Sequence, residues 1–238
     1  MVSCPPENDR DDRQVRSFVR RNGRITPAQE KALAELLPRY GVTVADGLID
    51  PQQIFERPAP LVLEIGFGNG DALCWMAQQQ PQFNFIGVEV YRAGIGHALR
   101  HIEEQQLSNV RVLDSDAVVL LKQHIAPASL QAIRIYFPDP WPKKRHHKRR
   151  LIQPEFVELA SSRLQPGGQL HLATDWEHYA EQMLHVLSDQ PQLSNAAGSG
   201  DGYADRPYWR PQTRFERRGL RLGHGVWDLL FQLRDGDH

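Results

Sequence analysis

Residues 61–70 read LVLEIGFGNG, a mainly apolar run followed by glycine at every second position. Such a run predicts a buried strand, a tight turn and a helix, with a backbone that a ligand can approach without side-chain clashes. The spacing is not the Gly-x-Gly-x-x-Gly of dinucleotide sites, and no Gly-Lys-Ser/Thr follows, which excludes a triphosphate-binding loop. Taken alone, the motif also fits an ordinary strand-to-helix turn.

The alternation that begins at this strand continues along the chain. Short apolar runs predict strands at residues 61–65, 83–88, 110–113, 133–137 and 170–174. Amphipathic stretches predict helices at residues 71–79, 92–106, 117–124, 154–164 and 176–188. Strands that alternate with helices predict an α/β fold whose parallel sheet is covered on both faces. Towards the C-terminus we expect a loop at residues 196–205 and two more strands at residues 214–218 and 226–233.

Composition and charge limit the class of protein. The chain has 238 residues, of which 40 % are hydrophobic, enough for one sizeable core. A formal net charge of -1 hides two basic clusters, at residues 10–24 and 143–150, which indicate a defined anionic partner. Residues 1–30 are expected to form a basic, mobile arm that leads into a short helix at residues 27–37. Residues 31–238 are expected to form a single domain.

Cysteine usage and hydropathy bear on the cellular compartment. The chain has two cysteines, Cys4 and Cys74, which excludes a disulfide scaffold and a Cys-rich zinc site. No stretch resembles a signal peptide or approaches the length of a membrane span. We therefore expect a cytoplasmic protein.

Three acidic residues lie at the ends of successive predicted strands. Glu64 lies in the first strand, Glu89 follows 23 residues after Gly66, and Asp116 comes just after the third strand. An acid in the position of Glu89 can accept hydrogen bonds from ribose hydroxyls, and Asp116 could accept one from an adenine amino group. A set of acids suits a positively charged nucleoside better than a pyrophosphate. The pattern therefore favours S-adenosylmethionine, although each acid alone also fits a solvated strand end.

The predicted fourth strand leads into the segment PDPWP at residues 138–142, and then into KKRHHKRR at residues 143–150. Asp139 is clamped between two prolines with Trp141 beside it, which suits the grip of a planar base, although Pro-Asp-Pro is also good turn chemistry. The basic run suits a phosphate backbone. We interpret His146 and His147 as surface residues near phosphates, and predict no metal site, because no spaced carboxylates or cysteines accompany them.

Two further segments contain candidate residues. Asp175 follows the fifth strand, where it could line a site or cap the next helix. The segment TRFE at residues 213–216 offers a hydroxyl, a cation, an aromatic ring and an acid, a set that can hold a purine but also occurs in ordinary strands.

Together these segments resemble the tRNA (guanine-N7)-methyltransferase family over most of the chain. The string PDPWPKK is highly specific to that family, whereas the glycine loop is shared by many methyltransferases. The matching segments are RSFVRR at residues 16–21, EIGFG at 64–68, GVE at 87–89, FPDPWPKKRH at 137–146, TD at 174–175 and TRFE at 213–216.

The resemblance implies a Rossmann-like class I S-adenosylmethionine-dependent methyltransferase, with a seven-stranded, mostly parallel sheet and an antiparallel last strand. It implies that the cofactor contacts Glu64, Gly66, Gly68, Glu89, Asp116 and Asp139. Asp139 is also the catalytic candidate. Substrate is expected to contact Lys143, Asp175, Thr213, Arg214, Phe215 and Glu216. RNA is expected to contact Arg145, His146, His147, Lys148, Arg149 and Arg150.

The resemblance further implies that the substrate is guanosine 46 in the variable loop of tRNA. We expect a monomer rather than a homodimer, without an obligate protein partner. Two alternatives stay open on the residues alone: an RNA-binding protein with a vestigial cofactor site, and an enzyme of the same fold acting on a protein or small molecule. An amino-group methyltransferase is a third, but such enzymes favour Asn/Asp-Pro-Pro-aromatic, and here tryptophan lies between the prolines.

Overall fold

The structure is a computed structural model that describes residues 25–44, 47–198, 200–212, 216–217 and 225–235. Several predictions fall outside these ranges. They are the arm before residue 25, with its RSFVRR segment, and the candidate substrate residues Thr213, Arg214 and Phe215.

The predicted alternation of strands and helices is confirmed. Seven strands are described: β1 Leu61–Ile65, β2 Asn84–Glu89, β3 Val110–Asp114, β4 Leu130–Tyr136, β5 Leu164–Thr174, β6 Leu193–Asn195 and β7 Trp227–Leu233. The helices whose ends lie within the described residues are α1 Pro27–Glu35, α2 Leu37–Tyr40, α3 Pro51–Phe55, α4 Asp71–Gln79, α5 Arg92–Glu104, α6 Ala117–Gln123, α7 Pro154–Ser161 and α8 Glu177–Ser188. A 3-10 helix covers Lys144–Arg149.

The seven strands form one sheet in the order β3-β2-β1-β4-β5-β7-β6. Strands β1 to β5 pair in parallel, whereas β7 runs antiparallel to both of its neighbours, β5 and β6. The expected seven-stranded sheet with an antiparallel last strand is therefore confirmed. Because the carboxyl ends of parallel strands meet at one edge, the loops after β1, β2 and β4 lie together there.

The strand-like alternation of side chains divides the core into two layers. In β1, Leu61, Leu63 and Ile65 pack into the cluster that includes residues of α6, α7 and α8. Val62 faces the opposite layer, which contains residues of α1, α4 and α5. Glu64 shares the face of Val62 by this alternation, so its carboxyl group lies on the side of α4 and α5.

Three details of the predicted elements are wrong. Helix α7 ends at Ser161, three residues before the predicted end. Strand β5 begins at Leu164 and not at residue 170, because residues 165–168 form a bulge where the pairing to β4 shifts register. Strand β6 has no predicted counterpart, since three residues are too few for a pattern. Of the strand predicted at residues 214–218, the described Glu216 and Arg217 have helical backbone.

No helix among the described residues combines the length and apolar character that a bilayer crossing requires.

Candidate active site

A cavity of about 680 Å³ opens where β1, β2 and β4 end. Residues from six separate segments of the chain line it, including the loop after β3 and the residue after β5. Among them are all six predicted cofactor residues and one predicted substrate residue: Glu64, Gly66, Gly68, Glu89, Asp116, Asp139 and Asp175. The fold thus brings together side chains that the sequence separates by more than a hundred positions.

The glycine loop needs glycine because of its backbone conformation. Gly66 has φ of 73° and Gly68 has φ of 59°, in the left-handed region that strains other residues. An added Cβ at either position would meet no atom within 4 Å, so crowding is not the reason. The Gly66 amide donates to the carbonyl of Val88 at 2.9 Å, which ties the loop to the end of β2.

Glu89 organises the loops around it. Its Oε2 accepts a hydrogen bond from the Gly68 amide at 2.8 Å, and its Oε1 accepts from the amides of Val90 at 2.7 Å and Tyr91 at 3.0 Å. A carboxylate has about four acceptor positions, so about one is left for a ligand. The sequence led us to expect that Glu89 accepts hydrogen bonds from the ribose hydroxyls. For two such bonds to form, one of the three backbone amides would have to share its carboxylate oxygen with a hydroxyl or release it.

Asp116 is the N-cap of α6. Its Oδ1 accepts from the amides of Val118 at 2.8 Å and Val119 at 3.0 Å, which satisfies two otherwise unpaired donors of the helix. Only Oδ1 is used by the cap. The cap fixes the side chain at the cavity wall and leaves Oδ2 as the oxygen that can accept from a ligand.

Glu64 is the most unusual acid of the cavity. It is 2 % exposed, and its Oε2 is buried without a hydrogen-bond partner among the described residues. Burial raises the pKa of Glu64 to about 8, because Arg134 offsets only part of the cost of desolvation and Glu89 adds repulsion. Leaving a polar atom buried and unpaired typically costs about 1–3 kcal/mol. A cationic group in the cavity would remove this cost.

The backbone around Asp139 is held in an uncommon conformation. Phe137 has φ of 52° and Trp141 has φ of 43°, and each such residue costs about 1–3 kcal/mol when it is not glycine. The Phe137 amide donates to Ala173 of β5 at 2.7 Å, so the first strained residue is fixed to the sheet. Strain of this kind on both sides of Asp139 favours an enforced geometry over a simple turn.

The position of Arg150 contradicts the prediction that this residue contacts RNA. It is 2 % exposed; its Nε donates to the Pro140 carbonyl at 2.8 Å, and its guanidinium lies 4.7 Å from the centre of the Tyr179 ring. A guanidinium this deeply buried cannot reach a phosphate, so we withdraw Arg150 from the predicted RNA surface. It anchors the Pro-Asp-Pro loop from beneath, where Nη1 also contacts His178 and Gln182.

The rest of the basic run forms an exposed surface. Its exposed cations are Lys143, Lys144, Arg145, Lys148 and Arg149, and we call this set the basic surface. Lys143, a predicted substrate residue, is not among the residues that line the cavity.

Two aromatic features accompany the basic surface. Trp141 also lies outside the cavity lining, with the guanidinium of Arg149 over its ring at 5.1 Å and His146 edge-on at 5.8 Å. Partial desolvation and neighbouring cations lower the pKa of His146 and of His147. The two imidazoles are therefore harder to protonate than a free imidazole, and the positive charge of this surface comes chiefly from its lysines and arginines.

Asp175 lies at the cavity and does not cap a helix. The N-cap of α8 is Trp176, which makes no side-chain capping bond. The neighbouring Thr174 Oγ1 accepts from the Trp176 amide at 3.2 Å instead. The sequence left two roles open for Asp175, a residue that lines the site or a helix cap. The structure agrees with the first of these.

A buried polar cluster beside the cavity was missed by the sequence patterns. Tyr136, which lines the cavity, has its hydroxyl 3.0 Å from His171 Nδ1, and His171 Nε2 lies 2.8 Å from Asp228 Oδ1. Arg210 binds Asp228 on one side and Glu216 on the other. Buried acids within the apolar runs of strands are the sequence signal that could have indicated such a cluster.

This cluster corrects the prediction for Glu216. Its two carboxylate oxygens accept from Arg210 Nη1 at 2.6 Å and Nη2 at 3.0 Å, and the residue is buried outside the cavity lining. We therefore remove Glu216 from the residues expected to contact substrate.

Solved structures share the fold. The 16S rRNA methyltransferase KamB matches with a TM-score of 0.55 and 14 % identity, covering 82 % of this chain and 99 % of KamB. The aminoglycoside resistance methyltransferase NpmB1 matches with a TM-score of 0.51 and 12 % identity, covering 76 % of this chain and 91 % of that one. These likenesses confirm the expected class I methyltransferase fold.

Sequence relatives are much closer. The family model described as "Putative methyltransferase" matches residues 58–229. The tRNA (guanine-N(7)-)-methyltransferase of Paraburkholderia xenovorans is 55 % identical over 98 % of this chain and 88 % of its own length. The enzyme of that name from Bordetella pertussis is 56 % identical over 92 % and 85 %. This chain belongs to the tRNA (guanine-N7-)-methyltransferase family.

Proposed function

We propose that this protein transfers the methyl group of S-adenosylmethionine to N7 of guanosine 46 in tRNA. The observation that carries the proposal is the single cavity that joins the glycine loop, the strand-end acids and the strained Pro-Asp-Pro loop. The basic surface lies directly after that loop in the chain. We further propose that the protein acts as a monomer in the cytoplasm, where tRNA is modified.

The residues of the cavity fit S-adenosylmethionine. The unpartnered Oε2 of Glu64 suits a cationic group, which favours the ionised carboxylate, whereas a pyrophosphate offers it neither a positive charge nor a hydrogen-bond donor. Gly66 and Gly68 leave the loop without side chains on the ligand side, and Glu89 and Asp116 each retain an acceptor position. When bound, this cofactor supplies an electrophilic methyl group on a sulfonium.

Asp139 is the residue to which we assign the main chemical role. Guanine N7 carries a free lone pair, so no base is needed to create the nucleophile. Positioning of the two reactants and exclusion of water can contribute up to roughly 7–11 kcal/mol. Asp139 lies at the cavity between two rigid backbone positions, where its carboxylate can orient the guanine edge and offset positive charge that develops on the base.

Nucleoside analysis of tRNA treated with the purified protein tests the proposal. We expect 7-methylguanosine, and no methylated adenosine or cytidine, because an adenine edge presents donors and acceptors in the opposite order and would leave buried groups unpaired. Short single strands should be poor substrates. Methyl transfer to an exocyclic amine or to protein, or equal rates on a short oligonucleotide, would refute the proposal. Cofactor binding without any transfer would favour the alternative of a non-catalytic RNA-binding protein.

The basic surface should dominate the salt dependence of tRNA binding. Each neutralised phosphate contributes a slope of roughly -0.7 to -0.9 in log K against log salt. Replacing Arg145, Lys148 and Arg149 with glutamine should therefore flatten the slope by about two to three units, while cofactor affinity stays nearly unchanged. Filter binding over a range of salt concentrations measures the slope.

A matched control removes the same number of charges elsewhere. Lys31, Arg100 and Lys122 are exposed on α1, α5 and α6, and none of them belongs to either basic cluster. Their triple replacement by glutamine should leave the slope close to that of the parent. Equal slopes for both triple variants would place the RNA contacts elsewhere, with the basic residues 16–24 as the next candidate.

Glu64 should make the protein without cofactor less stable as pH rises. Its pKa is about 8 in the folded protein against 4.5 for the free side chain, so between these values the folded state holds a proton that the unfolded state has lost. The stability that this proton contributes is complete below the unfolded pKa and is lost as pH rises through 8. The slope is about 1.4 kcal/mol per pH unit.

A Glu64→Gln variant should lack this dependence, because the amide does not titrate. Urea unfolding should be measured at several pH values between 5 and 8. The free energy of unfolding of the variant, relative to that of the parent, should increase by about 1 kcal/mol per pH unit. Replacing the exposed Glu158 with glutamine is the control. Its free energy of unfolding should have the same pH dependence as that of the parent. Parallel profiles for the Glu64 variant would mean that Glu64 is ionised in the folded protein at pH 7.

A further inference from the structure

A group of three potential metal ligands lies beside the glycine loop, near Asn69. Helix α5 carries His97 and His101 one turn apart, with ring centres 4.4 Å from each other. Asp71 is the first residue of α4, and its Oδ1 lies 3.7 Å from His101 Nδ1. One nitrogen of each ring and one oxygen of Asp71 all lie within 4.8 Å of one another. No other such group occurs within the described part of the chain.

A hydrogen bond fixes the tautomer of the neutral His97 imidazole. Its Nδ1 lies 3.0 Å from the carbonyl oxygen of Asn69. Because a carbonyl can only accept, Nδ1 carries the proton and Nε2 keeps its lone pair. Metal-bound imidazoles characteristically donate their second N–H to a carbonyl or carboxylate in this way, which fixes both the tautomer and the ring orientation.

The spacing is close to what a metal requires. Zinc binds imidazole and carboxylate at roughly 2.0–2.2 Å, so ligand atoms in a tetrahedral site lie roughly 3.3 Å apart. The 3.7 Å separation of His101 and Asp71 needs only a small side-chain rotation. Two histidines at i and i+4 on one helix are the spacing that helical zinc sites use.

We propose that Asp71, His97 and His101 bind a divalent first-row transition metal ion of the Zn²⁺ class. Two imidazoles and one carboxylate favour Zn²⁺, Co²⁺, Ni²⁺ or Cu²⁺ over Mg²⁺ and Ca²⁺, which prefer oxygen ligands alone. Three protein ligands leave a fourth position for water. The proposed site shares Asp71 with the lining of the cofactor cavity, but it does not depend on the substrate assigned above.

The position of the site gives it a structural consequence. Asn69 and Asp71 both line the cofactor cavity, while His97 and His101 belong to α5. A bound ion would therefore link α5 to the junction between the glycine loop and α4. Because an ion that binds only the folded state stabilises it by mass action, the melting temperature should rise with metal concentration.

Cobalt titration of the untagged, chelator-treated full chain tests the proposal. We expect one saturable site with visible d–d absorption, from which Zn²⁺ displaces the cobalt. A His97→Gln or a His101→Gln variant should bind at least about 10- to 100-fold more weakly. Both side chains are partly exposed, so the variants should retain the far-ultraviolet circular dichroism of the parent.

His185 provides a matched control. With Asp189 it forms a histidine–carboxylate pair at the same i, i+4 spacing on α8, 3.4 Å apart, but outside the three-ligand group. A His185→Gln variant should bind cobalt as the parent does. The proposal is overturned if the parent shows no saturable binding, or if the His97 and His101 variants keep the parent's affinity and stoichiometry. Loss of the site in the His185 variant would also overturn it.

Discussion

An Asp139→Ala variant is expected to methylate tRNA about 10²–10³-fold more slowly than the parent protein while remaining folded. The loss is expected because the carboxylate is placed at the cavity, where guanine must meet the methyl donor. Removing one preorganised electrostatic group from a site sheltered from water typically costs this much in turnover. Binding of S-adenosylmethionine should weaken less, because Glu64, Glu89 and Asp116 remain.

The variant should fold because other residues determine the shape of the loop. The Phe137 amide is bonded to Ala173, and the Arg150 guanidinium holds the Pro140 carbonyl. Neither contact involves the carboxylate of Asp139, which is a half-buried side chain outside the hydrophobic core. The expected defect is therefore in the chemical step.

Single-turnover methylation with enzyme in excess over tRNA measures that step without product release. Asp189→Ala removes the exposed acid that follows α8 and should retain the rate of the parent. An Asp139→Asn variant separates orientation from charge, because the amide can still accept a hydrogen bond but carries no negative charge. A rate within a few-fold of the parent for Asp139→Ala would reduce Asp139 to a turn residue.

The position of the acids could be predicted from the sequence because it depends on local patterns. Each of the first four strands is a short apolar run, and parallel strands place their carboxyl ends at one edge. Glu89 and Asp116 therefore had to converge with Gly66, whichever ligand they serve. The prolines on both sides of Asp139 indicated a restricted loop, but not the positive φ of Phe137 and Trp141, because a residue before proline usually has extended backbone.

The partners of the buried charges could not be predicted in the same way. Arg150 belongs by composition to a basic run, and only the fold shows that this one cation turns inward to Pro140. Arg210 lies 18 residues before Asp228, and Asp228 lies 57 residues after His171. Such pairs depend on tertiary packing, and no local periodicity marks them. The same limit hid the metal ligands, since Asp71 and His97 lie on different helices.

Replacing Arg210 with methionine is expected to lower the free energy of unfolding by about 3–5 kcal/mol at pH 7. Arg210 is 0 % exposed. Its Nε and Nη2 donate to the two oxygens of Asp228 at 2.6 and 2.7 Å, in addition to the paired bonds to Glu216. Without the guanidinium, two buried carboxylates lose the cation they share, and their desolvation is no longer offset.

The size of this effect should depend on pH. Burial alone would raise the pKa of Asp228, but hydrogen bonds from His171 and Arg210 outweigh it and hold the pKa below its usual value. The stability from this group is therefore present above the unfolded pKa of about 3.9 and is lost as pH falls through the folded pKa. In the variant the carboxyls can protonate more readily, so the gap between parent and variant should narrow from pH 7 towards pH 4.

An exposed ion pair of the same chemistry provides the control for Arg210. Arg100 lies 3.3 Å from Glu104 on α5, with both side chains about half exposed. Because solvent screens such a pair, Arg100→Met should cost at most about 1 kcal/mol. Urea unfolding of both variants, followed by circular dichroism, compares the two sites directly. If Arg210→Met costs no more than Arg100→Met, water reaches the carboxylates of Asp228 and Glu216 after the substitution, and the cluster contributes little to stability. If Arg210→Met does not fold at all, Arg210→Lys keeps the charge but loses the two-pronged bonds, and should show an intermediate loss.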